Sequence, residues 1–163
     1  MVTTKGESVV SEQSVSMLKV IVFSLLDEEY GLSVSQVRSI ERMEHITRVP
    51  GTASFVKGVI NLRGVVTPII DLRNRFGLSE ATYTDHTRII IVATEEVEVG
   101  LIVDAANDVL DIPVDSIEPT PEVVGSVEVE YIEGVAKIDK RLLVLLNLEK
   151  VLNPEELKEK VER

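Results

Sequence analysis

The second half of this chain repeats the register of the first, and that repeat limits the possible folds more than any other feature. Gly31 and Gly100 stand 69 residues apart, and the same offset relates Val34 to Val103, Ile40 to Val109 and Pro50 to Pro119. Beyond Pro119 the offset becomes 76: Gly58 matches Gly134, Ile69-Ile70 match Leu145-Leu146, and Leu72 matches Leu148. The seven extra residues fall between Pro119 and Gly134, a stretch whose Pro, Gly and Glu content reads as a surface-loop insertion. Agreement at so many apolar and glycine positions reads as an internal duplication, although any two hairpins share part of such a pattern.

Each copy is rich in short strands. Leu18–Leu25 is β-branched and aromatic and apolar on both faces; Asp27-Glu28 interrupts it before Tyr30-Gly31-Leu32, which reads as a hairpin with a buried first strand. Ser33 and Gln36 have capping-box spacing, and Val34, Val37 and Ile40 recur at three-residue steps, so a short helix is expected there. Val59-Ile60 and Val65–Ile70 are two further strands joined by the tight turn Asn61-Leu62-Arg63-Gly64, and Pro68 suggests an edge strand or a bulge. Arg88–Thr94 and Val97–Val103 form the corresponding hairpin of the second copy.

About five strands per copy is enough to close, or nearly close, a small barrel. A barrel of that length supplies little core of its own, so two of them gain stability by burying apolar surface against each other. The expected fold is therefore mainly β: two five-stranded barrel subdomains related by a pseudo-two-fold, with short connecting helices. Residues 1–16 read as a mobile tail, 17–84 as the first repeat, 85–152 as the second, and 153–163 as a C-terminal helix capped by Asn153 with Pro154 at its first position. Strands can be exchanged between the two barrels, and the local pattern does not say which.

Composition then removes classes of function. Lys and Arg number 17 against 28 Asp and Glu, for a net charge of −11, which argues against nucleic acid as a partner. There is no Cys and only two His, His45 and His86, so thiol chemistry and a His- or Cys-rich metal centre are excluded. No apolar run is long enough to span a bilayer, and Met17–Leu26 lacks the features of a signal peptide, so a soluble intracellular protein is expected. No phosphate-binding glycine loop or nucleophile elbow is present, and no set of titratable groups converges, so neither an enzyme nor a cofactor is expected. The Val/Ile/Leu-rich barrels look filled rather than hollow.

One asymmetry in charge remains. Residues 38–88 hold eight Lys or Arg against five acids, a local net charge of +3 in an acidic chain. This is either ordinary surface charge or a docking face for a less basic partner. Arg63 is its sharpest member, a planar five-donor fork at the tip of a tight turn between buried strands. The alternative is an internal ion pair, with Asp71 the nearest candidate acid.

The string Val56-Lys57-Gly58-Val59-Ile60-Asn61-Leu62-Arg63-Gly64, followed by Pro68-Ile69-Ile70-Asp71-Leu72-Arg73, resembles the signature of the CheW family of bacterial chemotaxis coupling proteins. The likeness continues through Val99–Asp104, Asp108-Val109-Leu110 and Leu148–Leu152, and covers about residues 18–153. It implies two SH3-like barrels in a cytoplasmic, non-catalytic adaptor. Such an adaptor joins the regulatory domain of the histidine kinase CheA to the cytoplasmic tips of methyl-accepting chemoreceptors, with no membrane insertion of its own. A scaffold linking another kinase to another receptor is the alternative. Carried over position by position, Arg63 is implied to face the receptor, with Val37 and Gly58 lining the same groove and Gly100 and Val109 shaping it from the second copy. Ser39 stands where many relatives have Glu, which removes a charge from that contact unless Glu41 or Glu44 supplies it. No residue is assigned to kinase binding.

Overall fold

The computed structural model describes residues 16–79, 82–119 and 129–153. The expected C-terminal helix, most of the loop insertion and all of the tail except Ser16 lie outside the described residues. The Ser16 carbonyl accepts a hydrogen bond from the Val114 amide at 2.9 Å.

Among the described residues eleven strands form two sheets. β1 (Met17–Leu25), β2 (Glu28–Ser33), β3 (Val37–Arg42), β4 (Val56–Leu62) and β5 (Val65–Asp71) come from the first copy. β6 (Arg88–Ala93), β7 (Glu98–Val103), β8 (Ala105–Pro113), β9 (Ile117–Glu118), β10 (Ile132–Ile138) and β11 (Arg141–Leu146) come from the second. One sheet has the order β8-β1-β2-β11-β10-β9 and the other β3-β6-β7-β5-β4, so each combines a hairpin from one copy with strands of the other. The exchange is symmetric. Leu145 pairs with Gly31 across the parallel β11–β2 contact, and Ile69 pairs with Gly100 across the parallel β5–β7 contact. The bulges at Gly58 and Gly134 fall at the same step of their hairpins. These are the two offsets of the sequence repeat, now seen as pairing register.

Both sheets curl toward closure. The chain leaving β8 passes a single 3-10 turn and pairs as β9 with β10, the far end of its own sheet. The chain leaving β3 likewise reaches Thr47, which bridges to Val59 on β4 at the far end of the other.

The run that is apolar on both faces is explained by three cores. Val20 and Val22 of β1 point into one barrel, with Ile112, Ala136, Leu143 and Leu145. Ile21, Phe23 and Leu25 point the other way, into a large core shared by both sheets. β6 divides in the same manner: Ile89 and Ile91 fill the second barrel, while Ile90 and Val92 join the shared core. Each fully buried Ile or Leu contributes roughly 1.5–3 kcal/mol of transfer free energy, so neither barrel could be separated from its partner without exposing the shared face.

Two short helices, α1 (Leu72–Arg75) and α2 (Leu148–Val151), sit 76 residues apart at the edge of that core, capped by Asp71 and Asn147. Polar contacts cross between the copies here. Asp104 binds the Arg73 guanidinium through both oxygens and accepts from the Leu26 amide at 2.8 Å. Arg75 lies over the rings of Phe55 and Tyr131 and donates from Nε to the Val151 carbonyl at 2.9 Å.

Two local expectations need correction. The helix after Ser33 is a single 3-10 turn, Val34–Gln36, capped by the Ser33 hydroxyl, and Val37–Arg42 is a strand with alternating exposure. A spacing of three in Val34, Val37 and Ile40 fits a helix, but β6 offers Val37 and Ser39–Arg42 a ladder of partners, broken only by a bulge at Arg38. Pro68 is not on an edge strand: β5 lies between β7 and β4, and Pro68 is tolerated because pairing to β7 begins only at Ile69.

Candidate functional site

The β4–β5 turn places Arg63 and Gly64 at φ 52° and 87°, the left-handed pair required by a type I′ hairpin. Asn61 Oδ1 accepts the Gly64 amide at 2.8 Å and fixes the turn from inside. A non-glycine, non-Asx residue in this region costs about 1–2 kcal/mol, so Arg63 is held there against its own preference. Its side chain is 70% exposed, and its Nη2 lies 3.4 Å from Glu41 Oε2, longer than an ordinary charge-assisted bond. Asp71 is not its partner. β5 runs seven residues from Val65, which puts Asp71 roughly 20 Å from the turn. Buried there, Asp71 caps the Arg73 amide at 3.0 Å and accepts from the Tyr83 hydroxyl at 3.1 Å.

Ser39 and Glu41 share one face of β3, because alternate residues of a strand point the same way, while Val37 stands beyond a bulge at Arg38 and pairs with Val92 of the shared core. Val37 packs on the rim of the shared core, Ser39 has a buried hydroxyl with no partner among the described residues, and Glu41 reaches Arg63. The charge absent at Ser39 therefore stands two residues further along the same face. Arg38, Ile40 and Arg42 occupy the opposite, exposed face.

The glycines act from within. A Cβ on Gly58, at φ +148°, would lie 2.1 Å from the Thr47 carbonyl oxygen; one on Gly100 would lie 2.7 Å from side-chain atoms of Ile69 and Ile89. Gly58 lets the β3–β4 connection close over the sheet edge, and Gly100 lets β5 and β6 side chains fill the barrel. Val109 stands on β8, paired with Ile21 in the other sheet, and is 53% exposed. The fold thus brings Ser39 and Arg63 together through Glu41, sets Val37 apart on the rim of the shared core, holds Gly58 and Gly100 beneath the surface, and sets Val109 on the second sheet.

Two further residues at the tip carry no signal in the sequence beyond that of a strand. Val65 and Val66 directly follow the turn and are 57% and 67% exposed, so the guanidinium is flanked by bare apolar surface. Two consecutive strand residues cannot both face a core on one side of a sheet, and that alternation was the available signal. Among the described residues no group of three or more His, Asp or Glu side chains is arranged to hold a metal ion. No helix among them is long and apolar enough to cross a membrane.

The family profile described as a CheW-like domain matches residues 19–156. The chain is 50% identical over 137 residues to the chemotaxis protein CheW of Bacillus subtilis strain 168, covering 84% of this chain and 88% of that protein. It is 38% identical over 137 residues to the CheW of Klebsiella aerogenes, covering 84% and 82%. Among solved structures, the scaffolding protein TtCheW of Thermoanaerobacter tengcongensis superposes with a TM-score of 0.80 at 38% identity, over 86% of this chain and 96% of that one. With its duplicated β fold and this breadth of similarity, the chain belongs to the CheW-like domain family.

Proposed function

We propose that this protein is a cytoplasmic adaptor that couples the tips of methyl-accepting chemoreceptors to the regulatory domain of the histidine kinase CheA. The family and its relatives make it a chemotaxis scaffold rather than an enzyme. The observation that carries the finer reading is the Arg63 turn. A cation is held in an unfavourable backbone conformation, mostly exposed, with one long internal contact and two exposed valines beside it. Such a tip fits the side of a helical hairpin, where apolar anchors and an Arg at the rim supply most of the binding energy. Val37, Ser39, Gly58, Gly100 and Val109 are proposed to line or shape the same receptor-binding groove. The protein does no chemistry, so it transmits a signal only by binding two receptor states unequally, or by holding the kinase in one geometry.

The test is co-sedimentation with a receptor cytoplasmic fragment and with the kinase, each alone and together, for the wild type and Arg63→Glu. Receptor binding is expected to weaken by about 1–2 kcal/mol, roughly 5- to 30-fold, with kinase binding kept. Equal loss of both partners together with a reduced folded fraction would make the residue structural. Capture of a different class of sensor in place of chemoreceptors would favour a scaffold of another pathway.

A further inference from the structure

A second surface is built on the opposite chemical pattern from the rest of this acidic protein. The Thr47–Val59 bridge holds the loop after β3 against β4, and Arg48 and Lys57 thereby line one open cavity of about 450 Å³. That volume lies within the range of ordinary ligand pockets. Among the described residues no acidic side chain lines it, although acids outnumber bases 28 to 17 in the chain. Neither Arg48 nor Lys57 forms an ion pair among the described residues, whereas Arg73 and Arg141 do. Two like charges facing one cavity repel, and an anion placed between them removes that cost. The rim is stiff before anything binds. Pro50 and Gly51 form a turn with Gly51 at φ 82°, and the Thr52 hydroxyl donates to the Val49 carbonyl at 3.1 Å. The remaining wall is partly apolar, through Ile46, Val49 and Val56.

We infer that this cavity binds an acidic peptide segment of a partner protein, taking Asp or Glu carboxylates on Arg48 and Lys57 and the adjoining apolar side chain on Ile46, Val49 and Val56. Arg48 supplies a fork that matches a carboxylate and Lys57 a point charge. A bare phosphate would satisfy the cations but leave the apolar wall wet, and the open mouth lets a chain run through. The cavity is separate from the Arg63 turn, which lies at the far end of β4.

The experiment is a titration of the full-length protein followed through its backbone amide resonances. Three probes are used: an end-blocked Glu-Leu-Glu-Leu-Glu peptide, the same peptide with Gln in place of Glu, and inorganic phosphate. The acidic peptide is expected to shift the amides of residues 48–57 saturably, with affinity falling as salt rises and at least tenfold weaker binding of the Gln peptide. Arg48→Gln and Lys57→Gln should each weaken it about fivefold or more while amides elsewhere stay in place. Arg48→Lys should fall between wild type and Arg48→Gln. No shift localised to this loop, equal binding of the Gln peptide, or a response to phosphate but not to the acidic peptide would each overturn the inference. So would variants that bind as well as the wild type.

Discussion

The two hairpin tips of this molecule share a left-handed first residue and differ in chemistry. In the first copy the turn is Arg63-Gly64; in the second, 76 residues on, it is Asp139-Lys140. The first turn residue has φ 52° in one and 55° in the other. The second tip also has an arginine nearby, Arg141, but there the guanidinium donates to both oxygens of Glu29 at 3.0 and 3.1 Å and lies 3.9 Å from Asp108. Arg63 has one contact, at 3.4 Å. Each tip keeps an exposed apolar residue, Val66 and its counterpart Leu142. Duplication thus preserved the left-handed first residue, while only the first copy left its arginine largely unengaged. A turn of this type favours Asn or Asp at its first position. The first copy departs from that rule where a partner would touch; the second, with only Asp139 left-handed, is a different turn.

The comparison can be broken first at the bulges at the far ends of the same two hairpins. Gly58→Ala should cost more than about 3 kcal/mol, since its Cβ would collide with a backbone oxygen in a conformation that side chains avoid. Gly134→Ala should cost about 1–2 kcal/mol, because there the closest contact, at 2.7 Å, is a movable Ile117 methyl group, the Glu118 carbonyl oxygen stands back at 3.0 Å, and no positive φ is involved. Urea denaturation of both variants checks the order; equal losses would mean that the two edges close in the same way.

The shared core should not discriminate between the tips. Burial in the aromatic stack with Phe23 and Phe76, and then the neighbouring Glu28, pushes the Tyr30 phenol up to about 12. The folded form therefore holds this proton more tightly than the unfolded form. The stability it contributes is complete below pH 10 and is lost as pH rises toward 12, on the order of 2–3 kcal/mol. Tyr30→Phe should flatten that alkaline loss. Hydrogen exchange across the same pH range should show both hairpins loosening together.

A smaller effect, in binding, separates the tips most sharply. Arg63→Glu should weaken receptor-fragment binding by about 1–2 kcal/mol, while Asp139→Arg should leave it within about threefold, as measured by isothermal titration. Smallest of all is the stability change at the turns themselves. Arg63→Asn should stabilise the fold by about 0.5–1 kcal/mol by relieving the left-handed strain, whereas Asp139→Asn should change it by less than about 0.5 kcal/mol.

The pairing scheme explains which parts of this could be read from residues alone. The repeat was legible because Gly31, Gly100, Gly58 and Gly134 are demanded by close approach or bulge geometry, and those demands recur in both copies. The exchange of strands was not, because Leu145 meets Gly31 across 114 residues and no local pattern records that meeting. β3 was misread because three apolar residues at a spacing of three fit a helix until β6 supplies a ladder. At the site, Arg63 stood out through its turn, but its acid is Glu41, which a curled sheet brings back across the barrel mouth, and not Asp71, which is close in sequence only. The cavity at Arg48 and Lys57 likewise depends on a single bridge between separate segments.

The central claim is that the first tip gives up stability to keep a cation available to a partner. Arg63→Asn tests it most directly when thermal unfolding and receptor-fragment affinity are measured on the same sample. The account predicts a higher midpoint of unfolding together with binding weakened at least fivefold. A lower midpoint, or unchanged affinity, would contradict it.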